Sequence, residues 1–306
     1  MEKLNAIDED AFEQQTQDLT PEEKSKIKNL VDRFEIGGYV RNSFSGFDKT
    51  NNLYFSDSGE DNTTFKMDTY IVGDLFDKAL NVKLGKWNEW NPYGWGMDID
   101  CDFSGVQLTY GKKDFKTFAT VGKMDLWDNF MGGDRDSENV SSLRFFYPFD
   151  ANNDVNFGVS YSSGMASRYQ DPDDRVFYYY VHGHHKFDDN WDVRAGTIYS
   201  NSHRDPNNAV AGTKTKSPGR WLQVQYKNAD IQKPGSYSVV ADYRYEPALT
   251  WTTVTDWAGL NEKFIRLGAS YVPAKNILLN SFYTWAREID TNAKNDLYRF
   301  QAELYF

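Results

Sequence analysis

Hydrophobic and polar residues alternate with a period of two from Phe34 to the end of the chain. In the last strand one side carries Tyr298, Phe300, Ala302, Leu304 and Phe306, and the other carries Arg299, Gln301 and Glu303. A sheet that left such a strand at an open edge would be prone to aggregation. A barrel that pairs its last strand with its first has no open edge, and a closed barrel also satisfies its backbone in lipid. The pattern predicts an all-β, antiparallel transmembrane barrel; a soluble β-protein is the alternative.

The alternation predicts fifteen strands. It is sharpest over residues 95–103, where Trp95, Met97, Ile99, Cys101 and Phe103 oppose Asp98, Asp100 and Asp102. A separate strand is predicted over 105–111. Fifteen strands cannot bring both termini to the same side of a membrane, so we predict one missed strand between residues 85 and 140 and about sixteen strands in total. A barrel of that size encloses an aqueous channel.

The predicted connections alternate in length. Short turns fall at residues 150–153, 188–190 and 273–276, and long polar loops at 163–175, 200–219, 246–262 and 288–295. Short turns on one side and long loops on the other are typical of outer-membrane barrels.

The first 33 residues lack strand alternation. Thr20-Pro21-Glu22-Glu23 forms a capping box, which predicts a short helix over about 21–32. We predict two regions. Residues 1–33 form a polar leader with a short helix, either a stalk remnant or a plug, and residues 34–306 form the barrel. Residues 1–18 also fit a frayed polar leader.

Composition narrows the function. The mean hydropathy is -0.71, and no apolar run approaches about 20 residues, which excludes transmembrane helices. Aromatic residues make up 16% of the chain, as girdles at the membrane interfaces require. The net charge of -11 argues against nucleic acid as a partner. The single cysteine, Cys101, excludes internal disulfides, and no cofactor is predicted.

Arginines recur on the strand face that does not carry the apolar residues: Arg41, Arg144, Arg194, Arg244, Arg266 and Arg299. An arginine at the bilayer midplane on the lipid face would cost about 2–4 kcal/mol. We therefore predict that they line the pore together with Lys83, Asp98, Asp100, Asp102, Asp242 and Glu303. Salt-bridged arginines on a soluble sheet are the alternative.

Catalytic and metal sites are not favoured. Asp98, Asp100 and Asp102 resemble carboxylate ligands for calcium, but same-face neighbours on a strand lie about 7 Å apart, so we interpret them as charges of the lumen wall. His182, His184 and His185 have no nearby Glu or Cys to complete a zinc site and are better explained as belt histidines. No Ser, His and acid converge as a hydrolase needs, so an enzyme is not predicted.

Residues 123–139 differ from the other long loops. They combine apolar side chains (Leu126, Trp127, Phe130 and Met131) with a Gly-Gly pair and acidic residues. We predict that this loop folds into the barrel and sets its constriction, with its acids facing the arginines across the bore: Asp125, Asp128, Asp134 and Asp136. An exposed loop, or the missed strand, is the alternative.

The C-terminal half resembles a known family. The carriers of the resemblance are residues 226–230, 233–237, 241–245 and 268–272 and the final strand. They are similar to the barrels of porins from diderm Firmicutes, whose full chains carry an S-layer-homology domain and a coiled-coil stalk. The resemblance implies a homotrimeric general diffusion porin. The last strand also resembles an outer-membrane assembly signal, with Leu304 and Phe306 as its apolar pair, although Gln301 stands where that pattern usually has Gly.

The prediction is therefore a general diffusion porin in outer-membrane lipid that passes small hydrophilic solutes and ions through a charged lumen. A substrate-specific porin with an aromatic slide and a structural envelope-anchoring barrel are the alternatives.

Overall fold

The computed structural model describes residues 16–31, 33–49, 62–75, 79–90, 100–112, 115–125, 137–163, 175–201, 218–247, 262–289 and 291–306. They form one helix and fourteen strands. The helix is α1 (Pro21–Val31), and the strands are β1 (Phe34–Lys49), β2 (Asn62–Leu75), β3 (Leu80–Trp90), β4 (Asp100–Lys112), β5 (Phe115–Asp125), β6 (Ser137–Pro148), β7 (Asn153–Ser163), β8 (Arg175–Lys186), β9 (Trp191–Ser200), β10 (Gly219–Tyr226), β11 (Tyr237–Glu246), β12 (Glu262–Tyr271), β13 (Ile277–Glu288) and β14 (Asn295–Tyr305).

The strands close into an antiparallel barrel in which each pairs with its neighbour in sequence and β14 pairs with β1. The predicted closed, all-β barrel is confirmed. No helix in the described part of the chain is long and apolar enough to cross a membrane.

The predicted number of about sixteen strands is wrong, because the described barrel has fourteen. Residues predicted to form two strands, over 95–103 and 105–111, meet in the single strand β4. Phe103 is fully buried inside the barrel, whereas Val106 and Leu108 are exposed outside. The apolar positions of β4 thus change from odd to even numbers within one strand. In the sequence, this change of phase looks like the end of one strand and the start of another. Joining the two predicted strands into β4 makes the strand number even.

The helix occurs where the capping box predicts it. The Thr20 backbone N–H donates to Glu23 Oε2 at 2.8 Å, and the Glu23 N–H donates to Thr20 Oγ1 at 3.3 Å. These bonds satisfy donors that a helix N-terminus leaves free. The bonds from Thr20 also lower the pKa of the Glu23 carboxyl.

The two faces of the barrel differ as the alternation predicts. Large apolar side chains are exposed on the outer face of the strands, for example Phe65, Ile265 and Phe300, at 71%, 54% and 51%. Polar and charged side chains are buried on the inner face, for example Arg244 and Gln223. In water such an outer face would be unfavourable, whereas in lipid it is the favourable arrangement.

Both described termini of the barrel, Phe34 and Phe306, lie at the end that carries the shorter connections. The turns at 150–153, 188–190 and 273–276 are confirmed. The connection over 227–236 is longer and was not predicted. It packs on the turn beside it, because the Gly235 N–H donates to Val272 O and the Asn276 N–H donates to Ile231 O, both at 2.7 Å. The opposite end carries the longer predicted loops, most of whose residues lie outside the described ranges.

The barrel closes on the last residue of the chain. The Gly38 N–H donates to Phe306 O at 3.0 Å, and the Phe306 N–H donates to Gly38 O at 3.1 Å. The Phe306 ring lies over Gly38, where a Cβ would come within 2.6 Å of it. A residue without a side chain is therefore needed at position 38 for the closing strand to approach.

Candidate functional site: the charged inner face

The inner face of β3–β6, here called the first wall, is organised around Glu89. Its carboxylate accepts hydrogen bonds from the Arg144 guanidinium and from Trp87 Nε1. Gln107 Nε2 donates to Glu89 Oε1 at 3.0 Å and also lies 3.3 Å from Thr120 Oγ1. Glu89 and Arg144 are both almost fully buried. Charges removed from water need partners of this kind.

An apolar cluster supports this ion pair. Trp87, Phe103, Met124 and Val140 pack together on the same wall, each with at most 2% of its surface exposed. The Trp87 and Phe103 rings lie 5.1 Å apart. Lys83 Nζ lies 4.7 Å from the Trp87 ring centroid and 4.0 Å from that of Tyr70, which is a cation–π arrangement. The first wall therefore joins one ion pair to a small hydrophobic core.

The inner face of β9–β12, here called the second wall, carries a chain of ion pairs instead. Asp242 bonds to Arg266 and lies 3.9 Å from Arg244 Nη2. Arg244 Nη1 in turn lies 3.4 Å from Glu246 Oε1. All four side chains are almost fully buried.

Amide side chains extend this wall towards β9. Gln223 Nε2 lies 3.5 Å from Asp242 Oδ2, and Arg194 Nη1 lies 3.3 Å from Gln225 Oε1. Arg194 Nη2 also lies 3.5 Å from Asp192 Oδ1. Arg244 of β11 and Arg266 of β12 thus share the Asp242 carboxylate. Arg194 of β9 is joined to this wall through Gln223 and Gln225.

A third group of charges lies where the barrel closes. In the strand register, Arg41 of β1 lies opposite Glu303 of β14 on one side and opposite Lys66 of β2 on the other. Lys66 Nζ lies 3.1 Å from Asp68, and Gln301 Nε2 donates to Glu303 Oε1 at 2.8 Å. The Tyr305 hydroxyl donates to Glu303 Oε2 at 2.5 Å.

The inner face therefore carries nine of the residues predicted to line the pore. Arg144, Asp242, Arg244, Arg266, Arg299 and Glu303 are buried, and Arg41, Lys83 and Arg194 are partly exposed. Asp98 lies outside the described residues. The backbones of Asp100 and Asp102 belong to β4, but their side chains are not described. A pore-lining role for the set stays a prediction.

The predicted constriction loop is shorter than expected. Lys123, Met124 and Asp125 belong to β5, and Ser137 to Asn139 belong to β6, so six of the seventeen residues are strand. Met124 is part of the apolar cluster. Asp128, Asp134 and Asp136 lie outside the described residues, and their role stays a prediction.

A row of glutamates at the long-loop end of β11, β12 and β13 was not predicted from the sequence. Glu262 pairs directly with Glu246 on one side and with Glu288 on the other, and all three are buried on the inner face. Asn295 Nδ2 donates to Glu262, and Thr291 Oγ1 donates to Glu288. The signal was present, because Glu246 follows Asp242 and Arg244 on the same strand face.

The belt assignment of the histidines is wrong for two of them. His182 is buried on the inner face, its ring 5.5 Å from that of Trp221. His184 Nδ1 lies 2.7 Å from Asp154 Oδ2, also inside. Only His185 shares the outer face, beside Phe187. Within the described ranges no group of His, Cys, Asp and Glu is arranged to hold a metal ion.

Known proteins resemble the fold. No family model and no curated protein matches the sequence. The structure of OprB of Pseudomonas putida, solved at high pH, is 7% identical over 93% of this chain and 96% of that one, with a TM-score of 0.51. The chain shares the fold of OprB. A mutant of the Rh. blastica porin is 12% identical over 89% and 100%, with a TM-score of 0.48. OpdL of Pseudomonas aeruginosa is 12% identical over 89% and 98%, with a TM-score of 0.44.

Aromatic side chains form a further feature of the inner face between the two walls. Tyr178, Tyr180 and His182 alternate along β8, and Trp221 faces them from β10. Gly196 of β9 lies between them, and a Cβ there would come within 2.4 Å of both His182 and Trp221. All four rings are buried, so they pack against one another and the wall.

Proposed function

We propose that the protein is an outer-membrane diffusion channel through which small hydrophilic solutes and ions pass along the charged inner face of the barrel. The observation that carries this proposal is the inversion of the usual order: apolar side chains outside, ion pairs inside. An anchor would need only the outer face. No bond is broken in passage, and selection depends on the bore and on the charges that line it.

The direction of any ion selectivity follows from which charges water reaches. Among the described side chains on the inner face of β1–β3, partly exposed cations outnumber partly exposed acids: Arg41, Lys66 and Lys83 against Glu35 and Asp74. Asp68 has none of its side-chain surface exposed. A passing ion meets the exposed charges first and feels the buried ones more weakly, since those already have partners. This part of the wall therefore favours anions.

Planar bilayer recordings in a salt gradient test the proposal. The purified protein should give stepwise conductance, and Lys83→Gln should shift the reversal potential towards cations. Lys86→Gln is the matched control, because Lys86 lies on the outer face of the same strand and should leave the reversal potential unchanged. No conductance from protein shown to be inserted would favour a structural anchor instead. Equal shifts from both variants would contradict a role for the inner face.

A substrate-specific channel is the second candidate, favoured by the aromatic residues Tyr70, Phe118 and Phe146, which are partly exposed on the inner face. Rings along a path bind one class of solute more tightly than others, which produces saturable block. Concentration-dependent block of the ion current by a single sugar or aromatic solute, lost in Phe118→Ala, would support this candidate over general diffusion.

We also infer a homotrimer and kinship with the S-layer-homology porins of diderm Firmicutes. The sequence resemblance over β10–β12 and the final strand supports both. Mass measurement of the detergent-solubilised protein tests the trimer.

A further inference from the structure

We propose that the outer face at the long-loop end of β10–β14 binds the phosphate of an anionic lipid headgroup. The site consists of Arg220, Tyr245, Lys263, Arg287 and Lys294, here called the cationic row. The proposal rests on the proposed function only in placing the barrel in a membrane.

The row is continuous across neighbouring strands. Arg220 of β10 pairs with Tyr245 of β11, Tyr245 pairs with Lys263 of β12, and Lys263 pairs with Arg287 of β13. An isolated bridge joins Arg287 to Lys294. Residues directly opposite each other on antiparallel strands lie about 5 Å apart, so the side chains of the row can reach one ligand.

Among the described residues, the row has more cations than acidic partners. Asp296 Oδ1 lies 3.0 Å from Arg287 Nη1, and Asp296 Oδ2 lies 3.4 Å from Lys294 Nζ. One carboxylate thus serves two cations, while Arg220 and Lys263 add two more. Like charges directly opposite each other, as Lys263 and Arg287 are, destabilise a sheet. A bound anion removes that repulsion.

The position of the row identifies the anion as a lipid group. One step towards the short turns, the same strands carry Leu222, Tyr243, Ile265 and Trp285 on the outer face, all between 46% and 54% exposed. These residues also pair directly with one another. Cations immediately above such an apolar row lie at headgroup depth, where Tyr and Trp are also enriched. Phosphate oxygens accept hydrogen bonds from both Arg and Lys.

The opposite side of the barrel provides a matched control. Lys123 of β5, seven strands from Lys263, is exposed on the outer face and pairs with Ser104 and Asn139. It is a lysine at the same end of the barrel, but no second cation lies directly opposite it.

Native mass spectrometry of protein released from vesicles of phosphatidylcholine with phosphatidic acid tests the proposal. The wild type should retain phosphatidic acid in preference to phosphatidylcholine. Retention should fall about fivefold in Lys263→Gln and about thirtyfold in the Arg220→Gln, Lys263→Gln double variant. Lys123→Gln should retain as much as the wild type. Equal loss in Lys123→Gln and Lys263→Gln would overturn the proposal.

Two measurements on the wild type keep the test independent of how the variants fold. Retention of phosphatidic acid should fall as salt rises, and a retention that does not depend on salt would contradict an ionic site. Inorganic phosphate at matched ionic strength should not displace the lipid; displacement would assign the row to free phosphate instead. Conductance of Lys263→Gln should equal that of the wild type, so a failure of the proposed channel function is seen separately.

Discussion

The first and second walls bury similar charges in different ways. On the first wall, one carboxylate, Glu89, accepts hydrogen bonds from Arg144, Trp87 and Gln107 and stands beside a small apolar core. On the second wall, Asp242 and Glu246 alternate with Arg244 and Arg266, and the apolar contribution is small, with Phe264 packed on Ala286.

The two walls differ in whether a buried charge keeps a partner after one ion pair is lost, here called redundancy. A charge in a chain of ion pairs keeps one partner when the other is removed, whereas a charge at the centre of a single cluster does not. Since an uncompensated buried charge is far more costly than a weakened pair, the first wall should tolerate substitution of its central residue less well than the second wall tolerates loss of one arginine.

The largest effect is expected for Glu89→Gln. Arg144 would lose its ion-pair partner in a buried position, and the free energy of unfolding should fall by about 4 kcal/mol. Urea unfolding in detergent micelles measures it. Combining the change with Arg144→Met should recover much of the loss, because the unpaired charge is then gone. A double variant that is less stable than Glu89→Gln alone would show that the ion pair is not what matters.

A somewhat smaller loss is expected for Phe103→Ala. The cavity left in the apolar cluster of the first wall should lower the free energy of unfolding by about 3 kcal/mol. Leu108→Ala is the control on the same strand, because Leu108 is on the outer face, where lipid or detergent fills the space, and its effect should be below about 1.5 kcal/mol. Equal effects in the same unfolding assay would contradict the change of phase within β4.

The smallest effect is expected for Arg266→Gln on the second wall. Asp242 keeps Arg244, and Glu246 keeps Arg244 as well, so neither acid of the chain of ion pairs loses its last partner there, and we expect a loss of about 2 kcal/mol. The same unfolding assay checks this value. A loss as large as that of Glu89→Gln would refute the redundancy of the second wall.

Much of the fold could be predicted because the alternation is strict on most strands. Leu222, Val224 and Tyr226 alternate with glutamines along β10, and the outer face followed directly from that pattern. It failed on β4, because Phe103 belongs to a local core inside the barrel and breaks the rule that apolar side chains face lipid. Tertiary packing, which a single sequence does not display, decided that position.

The inner face was only partly predictable for a related reason. Arginine is so costly on the lipid face near the bilayer midplane that an arginine in the middle of a strand indicates the inside. All six predicted arginines are on the inner face, whereas Arg220 and Arg287, near strand ends, face outward. The interaction partners of the inner-face side chains could not be predicted in this way. Glu89 forms its pair with a residue 55 positions away, and the glutamate row joins the ends of three strands. Both depend on strand register, which local patterns do not determine.

The hydrogen bonds between Gly38 and Phe306 have a consequence for the order of assembly. Because β1 pairs with β14, the ring cannot close until β14 has been made. Until then the growing sheet has two unpaired margins, at β1 and at the newest strand, and both are open to association with other chains. Closure of so long a loop is entropically unfavourable and slow. We therefore expect β1 to need protection from pairing with other chains until β14 is available.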